Sequence, residues 1–123
     1  FSINNKLMGQ VNLVRIAQQH VSANGSITVT TGLLGREPWP GTVPTATVNA
    51  ALEGFVRAAA LDASNGIRIN AVSPIFVTET ATQMGMDKAG TISASETAKA
   101  YQACIAGDMA GQALDVRDFG KVE

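Results

Sequence analysis

Few side chains in this 123-residue chain carry strong chemistry. His20 is the one histidine and the natural neutral-pH acid or base. It closes a stretch of helical spacing, where a plain surface role suffices. Cys104 is the one cysteine, which excludes an internal disulfide framework and a cysteine metal cluster, and it reads as a small buried hydrophobe. Tyr101 is the one tyrosine and falls in a late helical stretch. Thr30 and Thr31 end a β-branched run, either as hydrogen-bond donors to a ligand or as ordinary strand residues. Trp39, set between Pro38 and Pro40, either lines a pocket or packs its own loop. No metal-ligand constellation is present in the sequence.

Composition narrows the classes further. Hydrophobic residues make up 46% and charged residues 15%, the reverse of a disordered chain. The net charge is −1, without a basic stripe, which argues against nucleic acid and acidic membrane as partners. No apolar run reaches the roughly 18 residues of a spanning helix. A lone cysteine fits a reducing cytoplasm. The chain opens at Phe1 with a helical pattern already under way, so we expect residues 1–123 to be a single domain, the C-terminal part of one whose N-terminal half is missing.

Elements must position these groups. Leu7, Val11, Val14, Ala17 and Val21 recur at helical spacing over 5–21, and Asn24-Gly25 supplies an exit. Ile27 and Val29 alternate with Thr28 and Thr30 in a strand over 26–31. Three glycines and three prolines make 32–44 a structured loop. The longest helix covers 45–63, with Leu52, Phe55, Val56 and Ala59 on one face and Glu53 and Arg57 spaced for a surface ion pair. Asn65-Gly66 stops it, and 67–72 is a second strand ended by Ser73-Pro74. The stretch 75–92 reads as a long loop with a short helix near 83–88. Ser93-x-x-Glu96 opens a helix to Ala106, and 112–116 is a third strand. Strands separated by long helices lie parallel, which predicts an α/β fold, half of a doubly wound sheet in the order helix-strand-helix-strand-helix-strand. Ligands of such sheets bind at the carboxyl ends of strands, here the loops after Thr31 and after Val72.

Gly25-Ser26-Ile27, Thr30-Thr31-Gly32, Gly54-Phe55 and above all Gly66-Ile67-Arg68-Ile69-Asn70-Ala71-Val72-Ser73-Pro74 resemble the short-chain dehydrogenase/reductase family, as does Gly111 to Val116. The resemblance runs along nearly the whole chain. It implies the C-terminal part of a Rossmann-like domain and an NAD(P)(H)-dependent oxidoreductase acting on a carbonyl or alcohol. It also implies cofactor contacts from Thr30, Thr31, Asn49 and the Pro74-Ile75-Phe76-Val77-Thr78 loop, with Met84 and Met86 in a mobile substrate lid. Partner contacts in that family run through the two helices at 5–21 and 45–63, which predicts a homodimer or tetramer.

The family's catalytic set is altered. Its serine position falls on Gly32, beside Thr31. Its tyrosine and lysine positions fall on Thr45 and Asn49, and its asparagine position falls within Asn4 to Lys6. An aliphatic hydroxyl at Thr45 is a far weaker acid than a phenol, and Asn49 carries no charge to tune a neighbour. Thr45 and Asn49 are then either cofactor contacts or a helix cap and a surface amide. The expectation is an atypical oxidoreductase; the alternative is a dinucleotide-binding sensor or assembly subunit that has lost catalysis.

Overall fold

The computed structural model describes residues 3–123. A π-helical turn, Ile3–Leu7, runs into helix α1, Met8–Ala17. Strand β1, Ser26–Thr30, follows, and then helix α2, Val43–Asp62, strand β2, Arg68–Ser73, and a short helix α3, Thr78–Gln83. Helix α4, Ala94–Ala106, and strand β3, Ala113–Asp115, complete the order. The sheet runs β1-β2-β3, all parallel, with Thr28 opposite Asn70 and Ala71 opposite Ala113. This is the α/β arrangement that the alternation of elements predicts.

The central strand explains its own composition. β2 is covered on both faces, so five consecutive residues from Ile69 to Ser73 are buried and the run does not alternate. One layer packs Val14 of α1 and Val56 of α2 against Val29, Ile69 and Ala71. The other packs Ala100 and Cys104 of α4 against Val72, Ile92 and Val116. Asn70 is buried between these layers, and its amide answers two backbone groups. Nδ2 donates to the Met109 carbonyl at 2.8 Å, and Oδ1 accepts the Gln112 N–H at 3.0 Å. That single side chain guides the chain into β3.

Turns and caps follow the residues that can make them. Asn24 and Asn65 take left-handed φ values of 62° and 57°, and Asn24 N–H donates to the Asn65 carbonyl at 2.8 Å. The two strand-entry turns are thereby tied together. Ser93 caps α4 by accepting the Glu96 N–H at 3.1 Å. The Glu96 carboxylate does not reach back to complete a capping box; it takes Lys99 and the Lys121 N–H instead.

Several boundaries differ from the expectation. α1 ends at Ala17, four residues before Val21, and α2 starts at Val43 with Pro44 in its first turn. The short helix lies at Thr78–Gln83 rather than at 83–88. Val77 pairs with Ile92 as an isolated bridge, which starts the helix immediately afterwards, and Gly85 at φ 68° follows its end. Glu53 is not on the surface: it is 4% exposed, and its first partner is Arg36 at 3.0 Å, with Arg57 at 3.9 Å. Arg36 also donates to the Ala113 carbonyl at 2.6 Å, so the pair clamps the loop after β1 between α2 and β3.

Candidate functional site

A cavity of about 630 Å³ opens at the carboxyl ends of β1 and β2. Leu33, Leu34 and Trp39 supply apolar wall from the loop after β1, and Ile75, Phe76 and Val77 supply it from the loop after β2. Thr31, Gly32, Asn49 and Pro74 join that lining, together with Lys6 and Met86.

The polar end of the cavity is built from three elements. Asn49 projects from α2 and is 2% exposed. Lys6, on the π-helical turn, donates from Nζ to Asn49 Oδ1 at 2.7 Å and to the Thr31 carbonyl at 2.9 Å. Burial holds the Lys6 ammonium below the ordinary lysine range. No carboxylate of the described residues lies within 4 Å of it. Asp87 also lines the cavity, and it accepts the Ala89 N–H at 3.0 Å. One turn beyond Lys6, Gln10 pairs its amide with both backbone groups of Thr30. Nε2 donates to the carbonyl at 3.0 Å, and Oε1 accepts the N–H at 2.9 Å.

Gly35 lets the α2 backbone come this close, since a Cβ there would stand 2.9 Å from the Ala50 nitrogen. Gly32 makes room for the Asn49 side chain: a Cβ added at Gly32 would stand 2.7 Å from Asn49 Nδ2. A serine at this position therefore collides with the amide that Lys6 holds. Thr31 is buried, and its hydroxyl donates back to the Val72 carbonyl at 3.2 Å, so its proton is not free for a ligand. The loop after β2 is different. Among the described residues, the N–H groups of Ile75, Phe76 and Val77 have no acceptor, while Thr78 N–H is taken by the Ile92 carbonyl.

Of the expected site residues, the structure gathers Thr31, Gly32, Asn49, Pro74, Ile75, Phe76 and Val77 on one cavity. Thr30, Thr45 and Thr78 lie outside its lining. Thr30 Oγ1 meets the Tyr101 hydroxyl at 2.7 Å, and Thr78 Oγ1 meets Thr91 Oγ1 at 2.8 Å. Thr45 is exposed on the first turn of α2, and the cap position is Thr42. Asn49 is a buried amide rather than a surface one. Trp39 is 60% exposed yet contributes to the wall, and Met86 does so while Met84 does not. His20 is exposed and Cys104 fully buried, with burial pushing its thiol up. Sequence reasoning did not single out Lys6 or Gln10. The only signal was the altered asparagine position, which spans Lys6.

No helix among the described residues is long and apolar enough to cross a membrane, and no His, Cys, Asp and Glu cluster there is arranged to hold a metal.

Comparison with known proteins places this geometry in a family. The family model described as enoyl-(acyl carrier protein) reductase matches residues 2–116. Among solved structures, the protein lin1944 from Listeria innocua is 31% identical over 93% of this chain and 58% of its own, with a TM-score of 0.86. A short-chain dehydrogenase/reductase family protein is 31% identical over 92% of this chain and 53% of its own, at 0.79. A small-chain dehydrogenase solved in complex with NADPH is 27% identical over 93% and 59%, also at 0.79. No curated protein matches the chain. The chain thus spans somewhat over half the length of these solved relatives. With nearly all of its residues inside the matched model and its parallel sheet superposing on such relatives, the chain belongs to the short-chain dehydrogenase/reductase family.

Proposed function

We propose that this chain forms the substrate-side part of an NAD(P)(H)-dependent oxidoreductase acting on a carbonyl or alcohol. The observation that carries the reading is the cavity at the carboxyl ends of β1 and β2, whose lining holds both the Lys6–Asn49 pair and Ile75, Phe76 and Val77, residues with free backbone donors. Ligands of doubly wound sheets bind at this edge. The NADPH complex of a relative supports the cofactor class.

The residues present fit the nicotinamide end of such a cofactor. An unpartnered backbone N–H of this loop suits a carboxamide oxygen. Asn49 Nδ2 donates to no group among the described residues and suits a ribose hydroxyl. The bound dinucleotide would supply a hydride. The chain's own part is to orient the reacting carbonyl, exclude water with Leu33, Leu34 and Ile75, and manage the proton.

Calorimetry on the complete protein tests this. NADH or NADPH is expected to bind, and Ile75→Glu is expected to weaken binding by about 10-fold, the effect of setting a carboxylate against an electron-rich ligand in an apolar wall. Failure of both dinucleotides to bind at millimolar concentration overturns the reading.

A further inference from the structure

An ammonium group has three donor hydrogens. Two of those on Lys6 are taken, by Asn49 Oδ1 and the Thr31 carbonyl. One remains, on a group that lines a predominantly apolar cavity. The charge has no carboxylate beside it, because both acceptors are neutral oxygens. Asp87 is the other charged residue of the lining, and it makes no ion pair with Nζ within 4 Å. A positive charge in such a setting is stabilised most by negative charge that appears next to it.

Resting on the reading above, we infer that Lys6 meets the negative charge on the reacting oxygen and returns a proton to it. Asn49 and the Thr31 carbonyl are the positioning residues. As hydride from a reduced nicotinamide forms the new C–H bond, the C=O π pair moves onto oxygen. An Nζ–H bond of Lys6 breaks as the O–H bond forms. Lys6 is left as a neutral amine and takes its next proton from water.

Other acids of the chain are poorly placed. The Tyr101 hydroxyl is occupied by Thr30, outside the cavity lining, His20 is exposed on the surface, and Thr45 faces solvent. An ionised Asp87 only accepts. Burial, by lowering the ammonium's proton affinity, moves Lys6 toward the range where a general acid works at neutral pH.

The test uses the complete protein with Lys6→Met and Lys6→Arg. Hexanoate serves as a cofactor-free probe of the charge, and hexanamide as its neutral control. Hexanoate binding should fall at least ~10-fold in Lys6→Met and persist in Lys6→Arg, with hexanamide binding unchanged in both. Single-turnover reduction of a short ketone should slow by ~10²-fold or more in Lys6→Met. It should stay slow in Lys6→Arg, because a guanidinium keeps its proton. Single-turnover rates are compared at saturating dinucleotide, because Lys6 also holds the Asn49 amide. Equal hexanoate binding by wild type and Lys6→Met, or full activity in Lys6→Arg, overturns the inference. If Lys6→Met does not fold, the Lys6→Arg pair of readouts decides alone. Loss of dinucleotide binding in the wild type overturns the oxidoreductase reading instead, and the hexanoate comparison still reads Lys6.

Discussion

Lys6 and Asn49 complete each other: the amide oxygen receives the ammonium, and the Thr31 carbonyl holds the pair to the sheet. That reciprocity makes substitution at either end conditional on the other. Asn49→Lys alone sets two ammonium groups together in a partly buried place, and should lower stability by about 1–3 kcal/mol. Adding Lys6→Asn restores one amide and one ammonium and should recover at least half of that loss. A urea double-mutant cycle would measure a coupling of about 0.5–3 kcal/mol; strict additivity would show that the two do not interact. Gly32, Asn49 and the Pro74 loop are legible because fixed spacings forward from Gly25, back from Gly54-Phe55 and forward from Gly66 carry through regular strand and helix. Lys6 was not. It sits in a π-helical turn, which holds an extra residue, so spacing carried back from α1 loses register there. Thr45 misled for a related reason. α2 begins early, at Val43, and Val43, Pro44 and Thr45 all stand in solvent before the helix reaches its buried stretch at Val48.

Among the elements, the parallel direction of the strands and the helical crossovers between them follow from patterns readable in the chain, while the polar clamps between elements do not. Glu53 has the spacing of a surface pair with Arg57, yet the turn at Leu33–Gly35 brings Arg36 onto it from another segment. Tertiary approach decides such partners. The turn after β3 is a second case, spanning Val116–Asp118. Asp115 accepts the Arg117 N–H at 2.9 Å and the guanidinium at 2.6 Å, and Arg117 reaches on to Glu37 at 2.7 Å. Burial by itself would raise the Asp115 carboxyl, but these bonds to Arg117 outweigh it and hold the carboxyl below the usual aspartate range. The unfolded chain then binds a proton more readily than the folded one. The stabilisation is present above the ordinary aspartate range and is lost as pH falls through the lowered folded value. Glu96, also held low by Lys99 and the Lys121 N–H, titrates in the same direction. Urea midpoints at about pH 6 and about pH 3 should therefore drop less in Asp115→Asn than in wild type. An equal drop would mean that Asp115 contributes nothing to acid sensitivity.

At the scale of the molecule, the helices covering one face of the sheet present apolar and small residues outward. Leu13 and Ile16 of α1 are 62% and 52% exposed, and a Cβ at Gly54 of α2 would meet nothing within 4 Å. We propose that these helices, α1 and α2, which the sequence placed over 5–21 and 45–63, pair with a second copy of the protein. Sedimentation of the complete protein should show a dimer or tetramer, and Leu13→Glu with Ile16→Glu should shift it toward monomer. An unchanged association state in that double variant would place the contact elsewhere.

The amide of Gln10 has a consequence for how further sheet can grow. Odd-numbered residues of β1 bond β2, so the outer edge offers the backbone of Ser26, Thr28 and Thr30. Gln10 already occupies both groups of Thr30, much as a neighbouring strand would. A strand laid beside β1 can zip along Ser26 and Thr28 and must then peel away. The outer boundary of this fold is thus forked by one side chain, and the wedge it holds open lies at the same end of the sheet as the cavity.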